Sequence, residues 1–140
     1  MSKKPFVYVV DKDEESLTHI ETMFKNQNYT VRTFSEAQRF VNFMSSNNSP
    51  LRPALIIIDT LCEGVSGFEI VRRMHERYTG NFVPIIMVTK FESAIDALEA
   101  QNAGAIRCLS KPFKFEEVVA AIETERVRRE RHAQLRVHVK

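Results

Sequence analysis

The sequence predicts one α/β domain, with a parallel sheet that carries helices on both faces. Short apolar runs of strand character alternate with longer segments of helical periodicity along the 140-residue chain, a pattern typical of parallel sheets. Apolar residues make up 44% of the chain, which is enough for one buried core. Four of the apolar runs end in a polar residue, and open parallel sheets carry their ligand sites at the carboxyl ends of the strands.

Five strands are expected in order along the chain. They are predicted at residues 6–10, 29–34, 55–58, 84–88 and 106–110. The second strand contains charged and polar residues, so we expect it at an edge of the sheet. Pro84 is acceptable at the start of the fourth strand, where a missing N–H does not interrupt the hydrogen-bond ladder.

Five helices are expected between and after these strands, because apolar residues recur there at three- and four-residue intervals. These apolar positions are Leu17, Ile20 and Phe24; Ala37, Phe40, Val41 and Met44; Phe68, Val71, Met74 and Tyr78; Ile95 and Leu98; and Val118, Val119 and Ile122. Ser35 and Ser93 are predicted N-caps of the second and fourth helices. Gly67 is expected to open the third helix, and the fourth has the thinnest apolar stripe.

The chain changes character at Arg126. Residues 126–140 are strongly basic, with Glu130 as the only acid, and the apolar stripe of the last helix fades there. We therefore predict a domain over residues 1–125 and a charged C-terminal extension or linker over residues 126–140. A pairing helix and the first strand of a further domain are alternatives, the latter because Leu135, Val137 and Val139 alternate.

The net charge of the chain and the spacing of its cysteines limit the classes of function that the sequence supports. The formal net charge of +2 is too close to neutral to indicate nucleic-acid or membrane binding. The sequence has no signal peptide and no apolar run of membrane-spanning length, so the expected compartment is the cytoplasm. Cys62 and Cys108 lack the spacing of a metal or redox motif, and we expect reduced thiols.

The polar residues at the ends of four apolar runs form the candidate site. Asp11 follows the first run, Asp59 the third, Thr89 the fourth and Lys111 the fifth. If the runs are adjacent parallel strands, these side chains meet at one edge of the sheet. Two carboxylates, a hydroxyl and an ammonium fit a site that handles phosphoryl groups. A single strand-end aspartate is commonly a helix N-cap, so only the four residues together indicate a functional site.

The chain resembles the receiver domain of two-component response regulators over nearly all of residues 5–125. The matching motifs are Val9-Val10-Asp11, Ile57-Ile58-Asp59 followed by Gly67, Met87-Val88-Thr89, Ala103-Gly104-Ala105 and Ser110-Lys111-Pro112-Phe113. The resemblance implies a flavodoxin-like (βα)5 doubly wound sheet with strand order 2-1-3-4-5, to which we add an extended C-terminal helix.

The resemblance also implies the chemistry of the site. In that family the central aspartate accepts a phosphoryl group from a histidine kinase or phosphotransfer protein, and Asp59 matches it. Lys111 matches the lysine that pairs with the phosphoryl oxygens, and Thr89 matches the hydroxyl that binds them. The Lys111–Pro112 peptide is expected to be cis. Such a domain phosphorylates only itself and turns over no external metabolite.

The same resemblance implies the partners. They are the kinase or phosphotransfer protein, an output domain or target protein, and a second copy bound through the face of the fourth helix, fifth strand and fifth helix. No membrane contact and no direct nucleic-acid contact are expected for this domain.

Lys12 departs from the family pattern. The family has two adjacent acids after the first strand, which help to hold Mg²⁺; Asp11 matches the first, and Lys12 stands at the second. The remaining ligands would be Asp11, Asp59 and the backbone carbonyl of Leu61. An ammonium about 4 Å from the ion adds repulsion on the order of 4 kcal/mol per unit charge at a dielectric constant of about 20. We expect weakened or absent Mg²⁺ binding, with Lys12 either paired with Asp59 or pointing into solvent.

Cys108 is a second departure. It stands where the family has the switch aromatic of the fifth strand, so a swinging ring is replaced by a small, mostly buried group. We expect that a signal from Thr89 does not travel through this position. The fourth helix is the alternative route, unless the domain does not switch in the family's way.

Two other functions are open at this point. A pseudo-receiver would bind partners without phosphorylation, as Lys12 and Cys108 suggest. Asp11-Lys12-Asp13 after an apolar strand also fits haloacid-dehalogenase-type phosphatases, with Asp11 as nucleophile and Asp13 as general acid and base. That alternative leaves Asp59 unexplained, and Glu15 stands where that family prefers Thr or Val.

Overall fold

The computed structural model describes residues 4–46, 52–78, 82–91 and 93–138, and five parallel strands form its one sheet. The strands are β1 (Phe6–Val10), β2 (Thr30–Phe34), β3 (Leu55–Asp59), β4 (Ile85–Thr89) and β5 (Arg107–Ser110). The helices are α1 (Glu14–Lys25), α2 (Ala37–Ser45), α3 (Gly67–Arg77), α4 (Ala94–Ala103) and α5 (Phe115–His138). The strand order is β2-β1-β3-β4-β5, which confirms the predicted flavodoxin-like order.

The composition of each strand follows its place in the sheet. Every residue of β3 and β4 is buried, as expected for parallel strands that are covered on both faces. At the edge next to β1, the strand β2 instead alternates exposed and partly buried residues before the buried Phe34. The predicted edge position of this polar strand is therefore confirmed.

Alternate residues of the central strands build two cores, because successive side chains of a strand point to opposite faces. Tyr8, Val10, Ile56 and Ile58 pack beneath α2, α3 and α4. Val7, Val9, Leu55 and Ile57 pack beneath α1 and α5. The sheet is thus doubly wound, with three helices on one face and two on the other.

Side-chain caps mark the starts of several helices. The hydroxyl of Ser93 accepts a hydrogen bond from the N–H of Asp96 at 3.0 Å, which confirms the predicted cap of α4. The hydroxyl of Ser66 caps α3. The predicted cap at Ser35 is wrong: the N-cap of α2 is Glu36, whose side chain makes no cap hydrogen bond. The chain stays extended through Glu36, so α2 begins one residue later than the serine could cap.

The orientation of α4 also differs from the prediction. Ile95 and Leu98 are 70% and 58% exposed, and the buried residues of α4 are Ala100 and Ala103. The small alanine side chains let this short helix lie close against its neighbours, so its larger apolar residues face solvent. Helical periodicity identified the helix but not the face that it buries.

The predicted extended C-terminal helix is confirmed, since α5 continues to His138. The strand interpretation of Leu135, Val137 and Val139 is wrong for the first two positions, and Val139 lies outside the described residues. The guanidinium of Arg129 lies 3.8 Å from the centre of the Phe82 ring. This cation–π contact joins the extension to the segment before β4. In the part of the chain that the structure describes, no helix is long and apolar enough to cross a membrane.

Candidate functional site

The carboxyl ends of four strands bring the candidate residues together. Asp11 follows β1, Asp59 ends β3, Thr89 ends β4 and Lys111 follows β5. The backbone N–H of Lys111 donates to the carbonyl of Thr89 at 2.8 Å, which holds these two strand ends side by side. The side chains of Asp11, Asp59 and Thr89 are buried. Polar groups of this kind are rarely buried unless they are paired.

Lys111 connects the two carboxylates. Its Nζ donates to Asp11 Oδ2 at 2.8 Å and to Asp59 Oδ2 at 2.5 Å. Burial by itself lowers the pKa of Lys111, but the hydrogen bonds and charges of Asp11 and Asp59 outweigh it and raise that pKa above its ordinary value. Lys111 is therefore a partly buried cation at neutral pH. The Lys111–Pro112 peptide is cis, as expected.

Asp11 is the less favourably placed of the two acids. Burial raises its pKa, the hydrogen bonds from Lys111 and from the N–H of Asp13 oppose that rise, and the charge of Asp59 adds to it. The pKa of Asp11 is raised overall. Asp11 and Asp59 thus share the ammonium of Lys111 at the edge of the sheet.

Backbone amides occupy the remaining carboxylate oxygens. Leu61 donates its N–H to Asp59 Oδ1 at 2.7 Å. Asp13 donates its N–H to Asp11 Oδ1 at 2.9 Å. With the two bonds from Lys111, each of the four carboxylate oxygens has a donor. Leu61, which was expected to offer its carbonyl to a metal, contacts Asp59 through its amide in this structure.

The carboxylate of Asp13 is bound to the start of α1. It accepts a hydrogen bond from the N–H of Glu15 at 3.1 Å and so caps α1. A carboxylate at the first turn of a helix is stabilised there by the free N–H groups. Asp13 therefore stabilises the start of α1.

The hydroxyl of Thr89 is bound within its own loop. It donates to the carbonyl of Phe91 at 3.2 Å and accepts from the N–H of Phe91 at 3.3 Å. The ring of Phe91 is 75% exposed. Thr89 therefore lies at the correct edge of the sheet, but its hydroxyl is directed to the β4–α4 loop.

Lys12 points into solvent, and the alternative pairing with Asp59 is not formed. Its side chain is exposed and makes no ion pair with the residues that the structure describes. Lys111 holds the place beside Asp59 instead. Adjacent side chains alternate in direction at the end of an extended strand, so a buried Asp11 leaves Lys12 on the opposite side.

The two cysteines do not form a disulfide, and Cys62 lies beside Asp59. Cys62 donates its Sγ–H to the backbone carbonyl of Asp59 at 3.3 Å. Burial, together with the charges of Asp59 and Asp11, raises the pKa of Cys62 to about 12, so this thiol is protonated. Cys108 is partly buried and packs against the core beneath α2, α3 and α4.

Gly67 is required by the close approach of α3 to the end of β3. A Cβ at this position would lie 2.2 Å from the carbonyl oxygen of Asp59 and 3.1 Å from the Cα of Thr60. Only a residue without a side chain allows this contact. The spacing from Asp59 to Gly67 is therefore a geometric requirement of the site.

Lys90 is a residue of the site that the sequence analysis missed. It follows Thr89 directly, and it lines a cavity of about 320 Å³ together with Lys111, His19 and Asp13. The signal was available in the sequence, since Lys90 stands immediately after one of the polar residues that end the apolar runs.

The site contains few ligands for a metal. No group of three or more His, Cys, Asp or Glu residues is placed to hold a metal ion within the ranges that the structure describes. A hard divalent cation takes several oxygen ligands, whereas the two carboxylates here share the ammonium of Lys111.

Comparisons with known proteins agree with this geometry. The model of the protein family described as response regulator receiver domain matches residues 7–123. The response regulator protein TmoT of Ectopseudomonas mendocina is 30% identical over 118 residues, which are 84% of this chain and 51% of TmoT. The regulatory protein VanR of Enterococcus faecium is 27% identical over 119 residues, which are 85% of this chain and 48% of VanR. The chain thus spans about half the length of these relatives.

A solved structure shows the same fold. The chemotaxis response regulator CheY4 of Vibrio cholerae superimposes with a TM-score of 0.70 at 23% sequence identity, over 86% of this chain and 98% of CheY4.

Proposed function

Because the chain belongs to the response regulator receiver domain family, we propose that it is phosphorylated on Asp59 by a histidine kinase or a phosphotransfer protein. The family is a class of two-component signalling domains. The observation that carries the proposal is the setting of Asp59, whose carboxylate lies at the carboxyl edge of the sheet between the ammonium of Lys111 and the amide of Leu61.

The proposed transfer is an in-line displacement. An oxygen of Asp59 forms a bond to phosphorus while the P–N bond of the donor phosphohistidine breaks. The leaving imidazole keeps the electron pair of that bond and takes up a proton from water. Lys111 stabilises the phosphoryl oxygens as a point charge. Thr89 would bind them as well, once its hydroxyl leaves the backbone of Phe91.

The role of Mg²⁺ follows from the same residues. Receiver domains generally bind Mg²⁺ at the acidic pocket. We propose that binding is weakened or absent in this chain, because Lys12 replaces an acid and because Lys111 already bridges Asp11 and Asp59.

The partners that we propose are those of a domain within a longer regulator. They are the kinase or phosphotransfer protein, an output domain or target protein, and a second copy bound through α4, β5 and α5. The family supports the cytoplasm as the compartment. We propose residues 1–125 as the receiver domain and residues 126–140 as its extension, with no direct nucleic-acid contact by this domain.

A pseudo-receiver is the second candidate function. One observation favours it: Lys111 holds both carboxylates in hydrogen bonds, so the site is neutralised in part before any phosphoryl group arrives. The phosphatase alternative has less support, since the carboxylate of Asp13 caps α1.

Phosphotransfer to Asp59 is tested with acetyl phosphate as a small donor and intact mass spectrometry as the readout. We expect one phosphoryl adduct on the wild-type chain, none on Asp59→Asn, and an unchanged adduct on the control variant Asp13→Asn. The experiment is run with and without Mg²⁺. A wild-type chain that gains no adduct in either medium would contradict phosphorylation and favour the pseudo-receiver.

A further inference from the structure

We propose that Lys12 and Lys90 bind the phosphoryl oxygens on Asp59 and supply the positive charge that Mg²⁺ supplies in other receiver domains. The phosphorylated site would then be stable without a metal. This inference rests on the proposed function, namely that Asp59 is the phosphoacceptor, and it adds two residues and a charge mechanism to it.

The balance of charge at the edge of the sheet creates the need for further cations. In the unmodified site, the carboxylates of Asp11 and Asp59 face the single ammonium of Lys111, which leaves one net negative charge. Phosphorylation replaces the charge of the Asp59 carboxylate with about −1.5 to −2 on the phosphoryl group at neutral pH, so the site as a whole becomes more negative. Together, Lys12 and Lys90 carry the charge of one divalent cation.

Lys90 is held close to Lys111 by the backbone. It directly follows Thr89, whose carbonyl accepts the N–H of Lys111 at 2.8 Å. The side chains of Lys90 and Lys111 line the same cavity of about 320 Å³. Lys90 is exposed and forms no ion pair with the described residues, so its ammonium can turn to an anion without breaking a contact there.

Lys12 flanks the site in the chain, and in the unmodified protein its side chain points into solvent. It follows Asp11, whose carboxylate is bound to Lys111. The charge of Lys12 partly opposes the rise in the pKa of Cys62, and the Sγ of Cys62 lies 3.3 Å from the backbone carbonyl of Asp59. The ammonium therefore acts electrostatically on the segment that carries Asp59. Its flexible four-carbon stem allows it to turn inward when a phosphoryl group is present.

The same lysines disfavour a metal. Positive charge beside a two-carboxylate pocket repels a divalent cation, and the four carboxylate oxygens already accept hydrogen bonds. An anionic phosphoryl group is attracted by the charges that repel Mg²⁺. The site thus selects for the oxyanion.

The test measures the rate of phosphorylation of the full chain by acetyl phosphate, with intact mass as the readout, in Mg²⁺ and in excess EDTA. We expect the wild-type rate to agree within about twofold between the two media. Lys12→Gln and Lys90→Gln should each lower the rate in EDTA about tenfold, which is the effect of losing one hydrogen bond to a charged group. Lys25→Gln, at the end of α1, is the matched control and should leave the rate unchanged.

A second measurement does not depend on phosphorylation. Isothermal titration with Mg²⁺ should give no binding heat for the wild-type chain and measurable binding for Lys12→Asp, which restores a second acid. Thermal shift with beryllofluoride, an analogue of the phosphoryl group, should stabilise the wild-type chain in metal-free buffer and should stabilise Lys12→Gln less.

The outcomes separate this inference from the proposed function. An adduct that forms only in Mg²⁺, or lysine variants that behave like Lys25→Gln, would overturn the inference and leave Asp59 as the phosphoacceptor. The absence of an adduct in both media would overturn the two together. Tight Mg²⁺ binding by the wild-type chain would also contradict the inference.

Discussion

At the scale of single residues, the site is organised by one buried ammonium. Lys111 contacts Asp11 and Asp59 with an exposed fraction of only 12%, and each carboxylate completes its hydrogen bonding with a backbone amide. Removing Lys111 would leave two buried carboxylates without a counter-charge, which is more costly than the loss of an exposed ion pair.

In the core, Tyr8 carries a buried polar group without a partner in the described part of the chain, in contrast to the hydrogen-bonded carboxylates of the site. Its ring packs edge-on against Phe34, Phe40 and Phe43, and its hydroxyl finds no hydrogen-bond partner among the described residues. Burial, with a smaller contribution from Tyr78, raises the pKa of Tyr8. The hydroxyl is therefore neutral and carries a desolvation cost without a compensating bond.

This cost gives a prediction for Tyr8→Phe. We expect the free energy of unfolding to rise by up to about 1 kcal/mol, because an unsatisfied hydroxyl is removed while the ring is kept. Urea denaturation followed by circular dichroism measures the change. Tyr29→Phe, a half-buried ring on the other face of the sheet, is the control. A loss of stability greater than about 1 kcal/mol in Tyr8→Phe would show that the hydroxyl has a partner.

At the scale of elements, α4 leaves its larger apolar side chains, Ile95 and Leu98, exposed. Only Ala100 and Ala103 are buried, and its start depends on the hydroxyl of Ser93. At its other end, Gly104 adopts a φ of +119° and accepts no side chain, because a Cβ would lie 2.6 Å from the ring of His75. The position of α4 is thus set by its two ends.

The cap of α4 gives a prediction at this scale. Ser93→Ala should lower the free energy of unfolding by about 1 kcal/mol, since the N–H of Asp96 loses its acceptor. Ser93→Asp keeps an acceptor and should lose much less. Hydrogen exchange over residues 94–103 should show faster exchange in Ser93→Ala alone. Equal exchange in the two variants would mean that packing, and not the cap, positions α4.

At the scale of the whole molecule, α5 joins the domain to its C-terminal extension without a break. The helix runs from Phe115 to His138 and crosses the proposed boundary after Glu125. Val118 and Ala121 are buried against the sheet, whereas beyond the boundary Arg129 stacks on Phe82. Among the described residues, the extension therefore contacts the domain through this aromatic stacking, and its arginines Arg126 and Arg128 form ion pairs with Glu123, Glu125 and Glu130 along α5.

This arrangement predicts that a chain of residues 1–125 folds cooperatively. We expect it to lose about 0.5–1 kcal/mol relative to the full chain, the size of one cation–π contact at an exposed site. In the full chain, Arg129→Ala should account for most of that loss in urea denaturation. Failure of residues 1–125 to fold would place the domain boundary further along α5.

The sequence by itself determined the order of the elements and the identity of the strand ends. The continuous apolar runs of β3 and β4, the polar residues at the ends of the runs and the Asp59-to-Gly67 spacing are local features, and each is retained in the structure. The cap at Ser93 and the extended α5 were also predictable, because a cap and a helical period depend on a few neighbouring residues.

Only the tertiary structure decided which faces and partners the residues take. Ile95 and Leu98 face solvent because alanines lie against the neighbouring elements. Lys111, which follows β5, contacts Asp59, whereas Lys12, which follows β1, points into solvent. Lys90 belongs to the site because it lines the same cavity as Lys111, which only the folded chain shows. The buried face of α4, the partner of Asp59 and the cavity at Lys90 all depend on contacts between residues that are distant in sequence. The periodicity of a single helix or strand does not encode such contacts.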